Sequence, residues 1–387
     1  MSSPPTVPDE EIARLVADGY DVVLAGGHLV VRRLPYMSPT GLRRDGRLVL
    51  PVTYAAGVVA DATDHRIWFA GEEPRDDRGG ALESAGQAHG FGNGETADHM
   101  LSFKPPSGAY ASLAEKIRHY AHILLSAARE IDADLVDTPG GSFQVVPDDL
   151  PLVYSDTNTA RVGLTNLNNL YRGHAIAIVG VGGTGSYILD HLAKTWVDRI
   201  ILIDGDVFEH HNAFRAPGAA AEQTVLPKPN KAEYFAQEYQ RMHRGVTAYP
   251  VALTPDNLHL LEEATLVFLA AADAETRPEI MRWLQERDVP FIDVGMSFRE
   301  GEGGLTGMAK VSAYLPGGDI AVPTAPALPP GEDDYRSNVQ IAELNSLNAT
   351  LAVIRWKRHL GFYATHEDSN QTIYKLYLNE LRNGDAE

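Results

Sequence analysis

Gly180-Val181-Gly182-Gly183-Thr184-Gly185 follows the apolar run 175–179 and opens a helix-forming stretch, 186–195. Asp204-Gly205-Asp206 closes the next apolar run, 199–203, about one helix length later. A glycine-rich turn leaving a strand lets backbone N–H groups approach a phosphate, and an acid ending the second strand accepts hydrogen bonds from ribose hydroxyls. The glycine pattern alone also occurs in tightly packed strand–helix turns. Strand, helix and acid at this spacing together point to a mononucleotide site.

Outward from that turn the pattern repeats. Runs at 175–179, 200–203, 247–251, 266–270 and 291–294 read as strands separated by helices, which predicts a mainly parallel sheet covered on both faces. A proline-rich segment, 316–332, interrupts regular structure, and 338–360 resumes as a long helix with apolar residues at Val339, Ala342, Leu347, Leu351 and Ile354. A final strand is expected at 374–377. The chain before the turn reads differently: strand-like runs at 20–33, 48–59 and 66–70, a glycine-rich loop or lid at 76–95, and a helix from Leu113 to Ile131 that Ser112 caps. The expected organisation is a smaller α+β domain over 1–155, followed by an α/β, Rossmann-like domain over 160–387.

Composition narrows the function. Lys and Arg number 33 against 52 Asp and Glu, a formal charge of −19, so the chain lacks the basic footprint of nucleic-acid or anionic-membrane binding. Neither a basic, apolar leader at the start nor a run of about 18 apolar residues is found, so a cytoplasmic protein is expected. There is no cysteine, which excludes disulfides, thiolate metal sites and a covalent thioester on this polypeptide. The closest pair of its 14 histidines, His210-His211, is adjacent and does not suit the i, i+4 geometry of helical zinc sites. His65, Asp98 and His99 read as ordinary surface or core residues.

Beyond the turn, Asn212 and Arg215 follow the second strand. A nicotinamide enzyme needs nothing there, whereas cleavage between the α- and β-phosphates of ATP requires fixed cations to meet the charge of departing pyrophosphate. Lys231, at the start of a helix, is the candidate ammonium, with Lys228 as the fallback. Asp273 follows the fourth strand, where a carboxylate suits a magnesium ion bridging phosphate oxygens or simply caps the next helix.

Together these residues resemble the ThiF/MoeB/ubiquitin-activating superfamily of ATP-dependent adenylyltransferases. The shared pattern is a Gly-x-Gly-Gly-x-Gly turn, Asp-x-Asp, Asn-x-x-Arg, a Lys closely followed by Glu, and a later Asp, and the similarity covers 164–360. The resemblance implies that Gly182 and Gly185, with Gly180 and Gly183, line ATP. It further implies that Asp204, with Asp206, faces the ribose, that Asn212 and Arg215 bind phosphates, that Lys231 meets the triphosphate, and that Asp273 holds Mg2+. It also implies a homodimer in which Arg161 reaches the neighbouring subunit's triphosphate. The phrasing around 185–195, 211–218 and 291–295 is similar to a bacterial subgroup that carries an uncharacterised N-terminal domain and accompanies ubiquitin-like proteins.

Two departures stand out: the thioester cysteine and the Cys-x-x-Cys zinc pairs are absent, and Asp273 is followed by alanine where the family commonly has asparagine. The expected reaction is therefore adenylation of the C-terminal carboxylate of a ubiquitin-like protein or peptide. The acyl group would pass to a sulfur donor, an amine or a cysteine of a separate conjugating protein. The alternatives are a catalytically silent scaffold that binds a ubiquitin-like partner, and a nicotinamide- or flavin-dependent oxidoreductase.

Overall fold

A computed structural model describes residues 8–55, 57–84, 86–92, 95–135, 138–145, 149–154, 156–271, 276–315, 339–365 and 369–384. The chain divides into two compact units, Met1–Leu150 with Tyr154–Asn169, and Pro151–Val153 with Leu170–Glu387.

The first unit is α+β. Helix α1 (Glu10–Ala17) precedes strands β1 (Asp21–Ala25), β2 (His28–Met37), β3 (Arg43–Ala55), β4 (Val58–Asp61), β5 (Arg66–Ala70), β6 (His89–Gly92), β7 (Glu95–Ala97) and β8 (His99–Ser102). Helix α2 (Leu113–Arg129), strand β9 (Ser142–Val145) and helices α3 (Thr157–Val162) and α4 (Thr165–Asn168) complete it. The main sheet runs β8-β5-β3-β2-β1-β9 with β4 on β3, while β6 and β7 form a separate ribbon inside the stretch read as a loop or lid. Leu113, Ile117, Tyr120, Leu124 and Ala128 form the buried stripe of α2, and burying each large apolar side chain contributes about 1.5–3 kcal/mol. Ser112 accepts the Glu115 amide at 3.1 Å and so starts the helix. It ends at Arg129, leaving Ile131 beyond it and 39% exposed. Helices α3 and α4 pack with this unit, where Ala160 of α3 fits against Gly27, at which a Cβ would come within 2.9 Å of it.

The second unit holds β10 (Ala175–Val179), β11 (Arg199–Ile203), β12 (Val246–Tyr249), β13 (Leu266–Leu269), β14 (Phe291–Gly301), β15 (Gly304–Tyr314), β16 (Gln371–Lys375) and β17 (Glu380–Gly384). Its helices are α5 (Gly183–Leu192), α6 (His210–Ala213), α7 (Glu222–Val225), α8 (Lys231–Tyr239), α9 (Arg277–Glu286) and α10 (Ala342–His359). The sheet order is β12-β11-β10-β13-β14-β15-β16-β17. The first five strands are parallel and the last three are added antiparallel. This is the α/β, Rossmann-like arrangement. From β10 the chain builds outward through β11 and β12, then returns to the other side of β10 with β13. That reversal places a crevice at the carboxyl ends of β10 and β13, where ligands bind in open α/β sheets.

Several boundaries differ from the sequence reading. Helix α5 begins within the glycine turn at Gly183 rather than at 186, since glycines at its first turn leave the backbone free to enter the helix. Helix α10 begins at Ala342, and Asn338 and the segment 316–332 lie outside the described residues. The expected strand at 374–377 is instead β16 ending at Lys375, a short 3-10 turn over Leu376–Leu378, and β17. The long β14–β15 hairpin had no counterpart beyond 291–294. No helix among the described residues is long and apolar enough to cross a membrane.

Candidate nucleotide site

The glycine turn sits at the crevice and is shaped by its surroundings. Gly180 has φ of +83°, and a Cβ there would lie 2.2 Å from the Ala271 side chain beyond β13. A Cβ on Gly185 would lie 1.8 Å from the Gly180 carbonyl oxygen, so the turn closes on itself only with glycine at both ends. Gly182 differs, because a Cβ there would meet nothing within 4 Å. The turn is thus packed from behind and open at Gly182, just where the unpaired N–H groups of the α5 amino terminus begin.

Asp204, at the end of β11, is 8% exposed. One carboxylate oxygen accepts the Val181 amide at 2.8 Å and the other the Asp206 amide at 2.9 Å, bracing the turn against the next strand. Burial pushes the Asp204 carboxyl above the usual range, against the opposing pull of those amides and the Lys231 charge. Asp206 itself is largely exposed and pairs with the Lys231 ammonium at 2.7 Å. Lys231, 7% exposed, opens α8. Lys228 instead pairs with Glu209 at 2.7 Å, with its side chain exposed, so Lys231 is the lysine that the fold carries to the Asp206 loop.

Asn230, which the sequence reading passed over, organises this corner. Its side-chain oxygen accepts the Ala232 and Glu233 amides, capping α8, and its amide nitrogen donates to the carbonyls of Asp204 and Asp206 at 2.8 and 3.1 Å. The signal was present as a cap-forming Asn three residues before Glu233.

Asn212 and Arg215 lie on and just past α6. Asn212 is 3% exposed; its oxygen accepts the Glu209 amide at 2.8 Å while its Nδ2 is buried with no hydrogen-bond partner among the described residues. The Arg215 Nε is likewise buried and unpartnered. Burial lowers the Arg215 pKa and the nearby Asp206 charge opposes that, which sets this guanidinium beside the same carboxylate that holds Lys231. Two buried donors left unsatisfied cost free energy, and an acceptor brought to them would relieve that cost.

Helix α10 reaches into the same corner. Asn345, fully buried, accepts the Thr184 hydroxyl at 3.2 Å and donates to the Arg215 carbonyl at 3.3 Å. A Cβ on Gly183 would come within 2.4–2.5 Å of its amide. Asn345 therefore ties the first turn of α5 to the backbone of Arg215. Nearby, Arg277 of α9 pairs with Asp293 of β14 at 2.5 Å and donates to the Val294 carbonyl at 3.1 Å. Asp273 lies outside the described residues, and Arg161 is an exposed residue of α3 in the first unit.

Residues 10–157 match a domain of unknown function, DUF6791, and residues 155–317 match the ThiF family. A stretch of 141 residues is 27% identical to the tRNA threonylcarbamoyladenosine dehydratase of Escherichia coli (strain K12), covering 35% of this chain and 52% of that one, so the similarity spans about half of the relative's length. Among solved structures, E. coli MccB with ATP superposes with a TM-score of 0.48 at 17% identity, covering 59% of this chain and 70% of that one. PaaA superposes with a TM-score of 0.47 at 19% identity, covering 59% and 71%. The chain carries a ThiF family domain over residues 155–317, preceded by a DUF6791 domain over residues 10–157.

Proposed function

We propose that this protein is an ATP-dependent adenylyltransferase that activates a carboxylate as an acyl-adenylate. The observation that carries the reading is the pair of buried, unsatisfied donors Asn212 Nδ2 and Arg215 Nε, with Arg215 and Lys231 both beside Asp206 and the Arg215 backbone tied through Asn345 to the first turn of α5. A hydride-transfer enzyme has no use for that cluster.

ATP supplies the phosphoanhydride whose cleavage drives the reaction. The turn 180–185 and the α5 amino terminus receive phosphate, and the Asp204 carboxylate, whose oxygens keep free lone pairs beside the Val181 and Asp206 amides, accepts from the ribose. Arg215, Asn212 and Lys231 meet the charge that grows on the leaving pyrophosphate as the carboxylate oxygen bonds to the α-phosphorus. The nucleophile is already anionic, so no general base is required. Asp273, the residue that the family resemblance assigns to Mg2+, would hold the ion, which would neutralise phosphate charge.

The acyl donor is the carboxyl terminus of a peptide or ubiquitin-like protein. MccB, a structural neighbour, is described in complex with the peptide substrate N-formylated MccA. With no cysteine in the chain, the acyl group leaves the adenylate for an amine, a sulfur donor or a cysteine of a separate conjugating protein. The enzyme works as a cytoplasmic homodimer. The lack of cysteine also favours a second reading, a nucleotide-fold scaffold without turnover.

Pyrophosphate exchange into ATP, measured with and without a candidate carboxylate partner, tests the proposal. Exchange that depends on the partner and falls about 10²–10³-fold in Arg215→Ala supports it. Wild-type protein that binds the partner but catalyses no exchange refutes adenylation in favour of the scaffold.

A further inference from the structure

The first unit contains a histidine pair outside the nucleotide site. His28 is fully buried and His89 is 4% exposed, with their Nε2 atoms 2.9 Å apart. His28 Nδ1 lies 2.8 Å from the Gly26 carbonyl oxygen. A carbonyl only accepts, so His28 carries its proton on Nδ1 and offers a lone pair at Nε2. His89 must then donate from Nε2, which leaves its Nδ1 as a bare acceptor. Burial pushes the His28 pKa down to about 3 and that of His89 to about 4, so both rings stay neutral at ordinary pH and His89 is too weak to serve as a base.

His89 lines a cavity of about 420 Å³ wholly within this unit. A Cβ added to Gly163, also on the wall, would lie 3.3 Å from His89 Nδ1. The Trp68 indole, tilted on the His89 ring at 4.5 Å, and Met100 supply apolar surface. Two guanidiniums share the wall: Arg66 is held by Asp64 at 2.9 Å, whereas Arg161 makes no ion pair among the described residues. In a chain of net charge −19, a cavity lined by two arginines and an acceptor, with no carboxylate in its wall, selects for an anion.

We infer that this cavity is a second ligand site, which takes a planar heteroaromatic anion of nucleoside-monophosphate size. Trp68 packs on the ring, His89 Nδ1 accepts a hydrogen bond from a ring N–H, and Arg161 meets the anionic group. The volume falls within the range of small-molecule pockets.

The full chain is titrated calorimetrically with uridine 5′-monophosphate, whose base presents an N–H donor, and separately with inorganic phosphate. His89→Phe and the exposed-site variant Arg161→Gln are run alongside, with thermal melts to check folding. The expected result is binding of the nucleotide that weakens about tenfold in each variant, since each removes one hydrogen bond or ionic contact. Arg215→Ala leaves this binding intact. No binding up to about 10 mM, unchanged affinity in Arg161→Gln, or loss of binding in Arg215→Ala with retention in His89→Phe overturns the inference; the last result places the probe at the glycine turn of the second unit.

Discussion

Replacing Gly183 by alanine and Asn345 by alanine, singly and together, tests whether α10 holds the glycine turn in place. In Gly183→Ala the new methyl meets the Asn345 amide at 2.4–2.5 Å, and overpacking of this kind costs about 1–3 kcal/mol. Asn345→Ala removes the partners of the Thr184 hydroxyl and the Arg215 carbonyl, both in the interior, at about 1–3 kcal/mol each. In the double variant the methyl enters the space that the amide vacates, so the overpacking disappears, and alanine's advantage over glycine in a helix returns about 0.5–1 kcal/mol. Alanine's helix preference enters the single and the double variant alike and cancels, so the two changes are coupled by the relieved overpacking, about 1–3 kcal/mol, with the double variant more stable than the sum of the singles implies. Urea denaturation of the four proteins measures this, and ATP titration of the same four reports whether Arg215 remains in position. Additivity within about 0.5 kcal/mol would refute the contact.

Asn230→Ala removes the α8 cap and two carbonyl contacts, and is expected to cost about 1–2 kcal/mol in urea denaturation and to weaken ATP binding through displacement of Lys231. Lys116, 1% exposed, donates to Asp61 at 2.7 Å, Thr63 at 2.9 Å and the Asp64 carbonyl at 2.7 Å. Lys116→Ala removes these contacts while Asp61, part-exposed, keeps its bonds from Thr63, and should cost about 1–3 kcal/mol, with the loss seen as a lower thermal midpoint. The neutral His28–His89 pair makes stability depend on pH. Both folded-state pKa values lie below the ordinary 6.5, so the unfolded chain binds more protons. The contribution is full above about pH 6.5, declines as pH falls through the window down to about 3, and is lost below it. His89→Phe should flatten the slope of unfolding free energy between pH 6.5 and 4; an identical slope in both proteins would count against the neutral pair.

The ThiF domain's parallel core was legible because β10, β11 and β13 are buried on both faces and read as continuous apolar runs. The glycine turn and the acids at 204 and 206 stood out for a related reason, since their chemistry is local in sequence. What escaped was non-local or two-faced. Asn345 contacts Thr184 across 161 positions, and no periodicity in α10 distinguishes it from a solvent-facing asparagine. The β14–β15 hairpin mixes buried and exposed residues, and Gly295, Gly301, Gly303, Gly304 and Gly307 break its alternation, so only the apolar start at Phe291 read as strand. Asn212 and Arg215 were found through their order after β11; that their donors are buried and unsatisfied required the fold.

The Lys231–Asp206 pair bears on which anions the ThiF domain tolerates. An ammonium already clasped by a carboxylate offers little net attraction to phosphate or sulfate diffusing through the cell, because either must compete with a tethered rival at 2.7 Å. On the proposed function, a ligand that brings several charges at once and engages Arg215 and Asn212 together would displace Asp206, whose side chain is already 76% exposed. On that same function, built-in competition of this sort would set a threshold of charge that polyphosphate meets and small inorganic anions do not.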